Sequence, residues 1–334
     1  MEGPRLDTVR LQGLARAYCQ SAVLYTALDI DLFTLVAKGE DTEDKLARVL
    51  DISPLNVERL VTVCLAMGLL ALEDGRLVNA PDVQRFLVRG ESSYAGPWMN
   101  FTRPDVGRWF EMTDLLRSKE PPRILGAVAD ITVEDARRYH DATHAIGMGA
   151  GRRFARGVDL QDRRLLLDLG GGSGAYGICA VQAYPRLRAV VFDLRPVVEV
   201  TKEYIARYGL TDRVSAVGGD FTVDRFPEGA DVVVMASNLV MYDEDVIQAV
   251  VTRAHDALLP GGEMHLVGEM LSDDRSGPLD AALWGLGELI YGSGGKTHTV
   301  GQCLAYFEKA GFVDVANHDF LPGVLRRVSG IKRS

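Results

Sequence analysis

The sequence predicts an α/β fold whose C-terminal half is a doubly wound parallel sheet, preceded by an all-α, winged-helix-like N-terminal domain. Three observations carry this expectation. The stretch Leu165 to Tyr176, LLLDLGGGSGAY, reads as a strand, a glycine turn and a helix start. Beyond it, apolar strand segments alternate with helix-length segments, the pattern of a parallel sheet covered on both faces. Ahead of it, residues 8 to 78 read as helices followed by a short hairpin.

A chain of 334 residues is long enough for about two domains and a sizeable core. Its net charge of -9 argues against nucleic acid, which needs a basic face. The opening MEGPRLDTVR lacks the apolar core of a signal peptide, and no apolar run approaches the ~18 residues of a membrane span, so a cytoplasmic protein with no membrane partner is expected. Cys19, Cys64, Cys179 and Cys303 lie far apart with no C-x-x-C pair, which predicts reduced thiols and neither a zinc ribbon nor a disulfide framework.

Taken in order, residues 8 to 28 place Leu11, Leu14, Ala15, Tyr18, Ala22 and Tyr25 at spacings of three and four, one apolar face of a long helix that needs a partner surface. Ser53 then Pro54 marks a helix start, and Gly68 closes the helix carrying Val57, Leu60, Val61 and Leu65. Leu69 to Leu72, the turn Glu73-Asp74-Gly75-Arg76, and Leu77-Val78 make a hairpin. Helix, helix, hairpin resembles a winged helix, but residues 1 to 80 hold 8 Lys or Arg against 12 Asp or Glu, the wrong sign for DNA. A dimerisation module over 1–95 is the expectation, hence a homodimer. Residues 96–160 read as a helical linker contributing to a substrate pocket, with Pro121-Pro122 breaking the chain and a helix over Val133 to Met148.

The last domain, 161–334, starts with the strand ending in Asp168 and the helix Ala175 to Ala183. It continues with the strand Ala189 to Asp193, the helix Val197 to Tyr208, the strands Val214 to Val217 and Asp231 to Ala236, and the helix Asp243 to Leu258. Pro260-Gly261-Gly262 is expected as a turn before the strand Glu263 to Gly268, and Phe312 to Asn317 with Val324 to Ile331 as an edge hairpin.

In such a sheet, ligands sit at the carboxyl ends of the strands. Gly170, Gly172 and Gly174 form the turn, but Ala175 and Tyr176 break the dinucleotide fingerprint, and Asp168 would repel a pyrophosphate. Asp193 follows the loop by roughly 20 residues, the spacing at which a carboxylate takes ribose hydroxyls. Asp220 offers an acceptor for an exocyclic amine, and Phe221 an apolar face for a purine. Together these describe an adenosine site without a phosphate site, which S-adenosylmethionine fits better than NAD.

With that loop, Asp193, GGDF at 218–221, LLPGGEMHLVGE at 258–269 and KAGF at 309–312, the chain resembles the class I S-adenosylmethionine-dependent methyltransferases, specifically small-molecule O-methyltransferases with an N-terminal winged-helix dimerisation domain. The resemblance covers essentially the whole chain. It implies a Rossmann-like doubly wound methyltransferase sheet, S-adenosylmethionine as cofactor with Ser237 among its contacts, and a small-molecule methyl acceptor.

Departures from the family pattern bear on the chemistry. Similar enzymes hold a base histidine within N-x-L-H-x-[WY]-x-D, whereas here the segment is Ser237-Asn238-Leu239-Val240-Met241-Tyr242-Asp243-Glu244-Asp245. Glu269 matches the first of two glutamates that flank that histidine, and the second has become Thr297 in Gly295-Lys296-Thr297-His298-Thr299. A hydroxyl acceptor needs a base, whereas a thioether sulfur does not. The thioether of a small hydroxy acid, as in dimethylsulfoniopropionate synthesis, is therefore the preferred acceptor. The alternatives are O-, N- or C-methylation of a secondary metabolite with His298 as a displaced base, or a cofactor-binding protein that moves no methyl group. Catalytic candidates are His298, Tyr242, Glu269 and Asp243, the last better placed to cap the following helix than to act in catalysis. Acceptor-side candidates are Tyr139, His140, His144, Met241 and Tyr291. His140 and His144 share a helix face, but without an H-E-x-x-H pattern no metal is expected.

Overall fold

The structure, a computed structural model, describes residues 6–122 and 130–334, so residues 1–5 and the part of the expected helical linker at 123–129 lie outside the described residues. The chain divides into two compact units, Met1–Arg103 and Pro104–Ser334.

In the first unit, α1 (Val9–Arg16), α2 (Tyr18–Asp29), α3 (Leu32–Ala37), α4 (Glu43–Leu50) and α5 (Pro54–Ala66) precede a hairpin of β1 (Leu70–Glu73) and β2 (Arg76–Asn79), then α6 (Pro81–Phe86) and α7 (Gly96–Met99). The helix expected over 8–28 is present as α1 and α2, joined at Ala17 with helical backbone angles. Thr42 caps α4 by accepting from the Lys45 N–H, and Pro54 opens α5. The hairpin turns on Asp74 and Gly75, whose φ values of 49° and 75° match the twist of the flanking strands. Phe33, Leu46, Val57, Val61 and Cys64 form the core.

The second unit opens with α8 (Val106–Trp109), α9 (Met112–Arg117) and α10 (Val133–Gly157). Strands β3 (Leu165–Leu169), β4 (Arg188–Asp193), β5 (Val214–Gly218), β6 (Ala230–Ala236) and β7 (Leu258–Gly268) follow, with α11 (Ala175–Ala183), α12 (Arg195–Arg207) and α13 (Glu244–Ala257) between them. The chain ends through β8 (Met270–Leu271), α14 (Leu279–Tyr291), β9 (His298–Thr299), α15 (Val300–Ala310), β10 (Val313–Leu321) and β11 (Leu325–Ile331). The main sheet has the order β10-β11-β7-β6-β3-β4-β5, parallel from β7 to β5, with β11 and β10 added antiparallel.

Side chains alternate across a strand, and the core divides accordingly. Leu166, Val191, Val232 and Val234 pack with Phe154 and Ile178 on one face. Leu167, Leu169, Val233 and Met235 pack with Val250, Cys303 and Phe307 on the other.

Two expectations are corrected. Pro260-Gly261-Gly262 is not a turn ahead of a strand but lies within β7, where Gly261 takes φ 75° at an irregularity in the pairing with β6. Of the segment expected as a linker at 96–160, α7 falls in the first unit and α8, α9 and α10 in the second. Thr132 and Asp135 form a capping box that starts α10, and its Ala136, Met148 and Phe154 join the sheet's core. That packing carries the helix to Gly157, past the Met148 end suggested by the sequence.

Candidate active site

The strand order reverses between β3 and β6, and this switch point is where an open α/β sheet binds its ligand. Asp168, at the end of β3, is 1% exposed. Its Oδ2 accepts from the Gly177 N–H at 3.1 Å, and its Oδ1 is buried with no partner among the described residues. Burial pushes this carboxyl up to about 7, with the Gly177 hydrogen bond opposing and the charge of Asp193 adding to the rise.

Asp193 closes β4 and holds the glycine turn. Its Oδ2 accepts from the Gly172 N–H at 2.8 Å and its Oδ1 from the Leu194 N–H at 2.7 Å, yet burial outweighs both and lifts it to about 6. Gly172 has φ 56°, and a Cβ there would lie 2.4 Å from His140 Cε1. At Gly170, with φ 60°, a Cβ would meet Asn238 Nδ2 at 2.5 Å and Phe221 Cε1 at 2.9 Å. Only glycine fits a backbone turned this way against such close neighbours.

From β6, Ser237 adopts φ 60° and its N–H donates to the Val267 carbonyl at 2.9 Å. That geometry turns Asn238 back so that its Nδ2 donates to the Gly170 and Ala236 carbonyls, each at 3.0 Å. Asn238, which the sequence reading did not single out, therefore ties the two strands at the switch point together. After β5, Asp220 Oδ1 accepts from the Thr222 N–H and hydroxyl, while Phe221 is 7% exposed and meets Tyr242 edge to face at 5.3 Å. The sequence-derived acidic residues and glycines are thus gathered at one end of the sheet.

A second group adjoins this end. Tyr139 of α10, 40% exposed as a whole residue, has its phenol pushed up to about 12, first by desolvation of that group and then by the charges of Glu269, Asp193 and Glu288. Glu269, just past β7, has a buried Oε2 with no partner among the described residues. Its carboxyl is raised to about 7, mainly by burial, with Asp280 and Glu288 adding to the rise. Glu288 on α14 is 6% exposed, accepts from the Ser293 hydroxyl at 2.5 Å and is likewise raised by burial. The sequence reading missed it, although a single glutamate within the apolar run LWGLGELIY was a visible signal. Met241 ends a 3₁₀ turn, Leu239–Met241, and is half-buried.

Several sequence candidates are corrected here. His298 is fully buried, its Nε2–H donating to the Tyr242 carbonyl at 2.9 Å and its Nδ1 accepting from the Tyr306 hydroxyl at 2.8 Å. With both ring nitrogens engaged, His298 braces the Tyr242 backbone against Tyr306. Asp243 caps α13, accepting from the Val246 N–H at 2.9 Å, the role its place ahead of the helix also predicts. His144 does not face an acceptor: its nitrogens lie 2.8 Å from Ser173 Oγ and 3.0 Å from Tyr208 Oη, and its ring stacks on Tyr204. It steadies the glycine loop. Tyr291 commits its hydroxyl to Asp105 Oδ2 at 2.9 Å, so only its ring can serve a ligand. His140 remains beside Gly172, held neutral because burial lowers it to about 4. Val240 occupies the position of the family histidine and is buried.

The donor set of this site tests the cofactor. An orphaned, buried carboxylate oxygen beside the glycine loop and a second carboxylate at the next strand end call for ammonium and hydroxyl donors, not phosphate. S-adenosylmethionine carries both, and the fold and site together are those of an S-adenosylmethionine-dependent methyltransferase. Residues 132–313 match the family model described as the O-methyltransferase domain, and the chain belongs to that family.

Among its relatives, a 3-hydroxy-5-methyl-1-naphthoate 3-O-methyltransferase of Streptomyces sahachiroi is 30% identical over 96% of this chain and 94% of its own length. The N,N-dimethyltransferase OxyT of Streptomyces rimosus is 28% identical over 90% and 89%. The solved structure of human N-acetylserotonin methyltransferase in complex with SAM, 22% identical, superposes with a TM-score of 0.82 over 100% of both chains and shares the fold. No helix among the described residues is long and apolar enough to cross a membrane.

Proposed function

We propose that this methyltransferase acts on a hydroxyl of a small aromatic molecule, with Glu269 as the proton acceptor. The observation that carries this reading is the buried, partnerless Oε2 of Glu269, on a carboxyl poised near 7. A base with that affinity for protons suits neutral pH, and a hydroxyl must lose its proton during methyl transfer. The bound cofactor supplies a sulfonium-activated methyl group. Everything else falls to the chain: alignment of the acceptor, exclusion of water and custody of the proton. Tyr139 and Tyr242 offer aromatic walls. Relatives named for O- and N-methylation favour these acceptors over a thioether sulfur, and the thioether preference is withdrawn.

Glu288 narrows the acceptor. Its charge, with that of Asp280, adds to the rise at Glu269. A wall of two carboxyls suits an acceptor presenting hydrogen-bond donors and disfavours one presenting a carboxylate. Labelled S-adenosylmethionine and a panel of phenols, aminophenols, aromatic hydroxy acids, amines and thioethers test this. Phenols without a carboxylate are expected to be methylated best, and turnover confined to thioethers would refute the reading.

For the cofactor, Asp193 is assigned to the ribose hydroxyls, Asp168 with Gly170, Gly172 and Gly174 to the amino-acid end, and Asp220, Phe221 and Ser237 to the purine side. Because Asp193 is raised to about 6, it is protonated below that pH and loses the charge that strengthens its hydrogen bonds. Affinity for S-adenosylmethionine should hold above pH 7 and weaken progressively below about 6. Calorimetry across pH 5 to 8 with flat affinity would contradict the assignment.

The first unit is assigned to homodimerisation. Leu11 and Leu14 are 55% and 61% exposed, and no residue of α1 is buried. A second subunit would remove this apolar face from water. Light scattering is expected to give a dimer at micromolar concentration, and a stable monomer would contradict it.

A further inference from the structure

A second cluster of side chains lies away from the methyl-transfer site. The C-terminal end of α10 and the β10–β11 hairpin enclose a cleft of 510 Å³ lined by Arg153, Arg156, Arg327 and His318, with Val158 and Phe320 as its apolar part and Asp319 as its one carboxylate. Three arginines therefore line one cleft in a chain whose net charge is -9. None of the three pairs with a carboxylate among the described residues. Arg153 donates to the Phe320 carbonyl and Arg156 to the Arg152 carbonyl, contacts that aim the side chains without neutralising them.

Arg327 is the most telling member. It is half-buried and directly opposite His318 in the hairpin register. Its Nη1 donates to His265 Nδ1 at 2.9 Å, and His265 is 1% exposed. The nearest carboxylate in this network, Glu263, is engaged elsewhere: Arg163 donates to its Oε1 at 3.0 Å, and its Oε2 lies 3.2 Å from His265 Nε2. The charge of Glu263 acts on Arg327, but no carboxylate pairs with it directly among the described residues; a partly buried guanidinium in that state is costly, and its planar fork suits a bidentate oxyanion. Asp319, which lines the cleft, stands across the ladder from Arg326, is exposed, and forms no ion pair with the three arginines among the described residues.

We propose that this cleft is a second ligand site, for a phosphate-bearing small organic molecule held by Arg327, Arg153 and Arg156. The volume lies within the range of about 300–1,000 Å³ of small-molecule sites and exceeds the need of a lone inorganic anion. Val158 and Phe320 provide for the ligand's apolar body. The site is separate from the methyl donor's: His140 marks the glycine loop, and Arg156 lies sixteen residues further along the same helix, about 24 Å at 1.5 Å per residue.

The test uses the full-length protein saturated with S-adenosylhomocysteine, so that the methyl-donor site is filled. Inorganic pyrophosphate is titrated in by calorimetry at low chloride, with citrate as a carboxylate comparison. One saturable site per chain is expected for pyrophosphate, tighter than for citrate. Arg327→Gln should weaken it at least tenfold, and so should Arg156→Gln, an exposed position whose change spares the fold. The methyl-transfer rate of the Arg156 variant should stay unchanged. Absence of saturable pyrophosphate binding, binding that survives both substitutions, or citrate binding as tight as pyrophosphate would overturn the proposal.

Discussion

Replacing Glu269 by Gln should lower kcat by about 10²–10⁴-fold, the contribution of a positioned base, while leaving affinity for S-adenosylmethionine within a few-fold of the parent. The amide keeps the size and the hydrogen-bonding reach of the side chain but cannot take a proton at neutral pH. Glu269 combines a buried oxygen, unpaired among the described residues, with a carboxyl near 7. Glu288 differs, because Ser293 already donates to it at 2.5 Å. Glu288→Gln should accordingly raise KM for the acceptor more than it lowers kcat. Steady-state kinetics with a phenolic acceptor separates the two, and equal kcat losses in both variants would argue against a distinct base.

Asp193→Ala should weaken S-adenosylmethionine by about 100-fold, near the upper end of the 1.5–3 kcal/mol typical of a hydrogen bond to a charged group. The effect combines two losses. The ribose hydroxyls lose their acceptor, and the buried Gly172 N–H, which now donates to Oδ2 at 2.8 Å, is left unsatisfied with the loop that carries it. Asp193→Asn should recover part of the affinity, since the amide oxygen can still accept from Gly172. Calorimetry showing unchanged binding in the alanine variant would remove Asp193 from the cofactor site.

Sequence pattern reached the sheet, the glycine loop and the acidic strand ends because these depend on local signals. Strand runs of Leu and Val, glycines at positions needing φ > 0, and the Asp at or just past the ends of β3, β4 and β5 are all visible within about a dozen residues. Roles that depend on distant partners were not legible. His298 looked like a free imidazole because Tyr242, which fixes its Nε2, lies 56 residues away. His144 is committed to Ser173 and Tyr208, 29 and 64 residues on, so no reading of its own helix reveals that it braces the loop. Asp243 was readable both as a cap and as a catalyst, and only its bond to the Val246 N–H decides between them. Glu269 was recognised by position, but its unpaired oxygen and raised proton affinity are products of burial, which a linear pattern does not contain.

The pH dependence of kcat for a phenolic acceptor, measured on the parent protein, Glu269→Gln and His298→Asn, tests the account most directly. A base must be ionised to act, so the parent should lose activity as pH falls through about 7, the value to which burial raises Glu269. That acidic limb should vanish in Glu269→Gln along with most of the rate. His298→Asn should keep the limb at whatever rate its packing allows, since that imidazole has both nitrogens committed to Tyr242 and Tyr306. Retention of the limb in Glu269→Gln and its loss in His298→Asn would contradict the account and return the proton to the histidine.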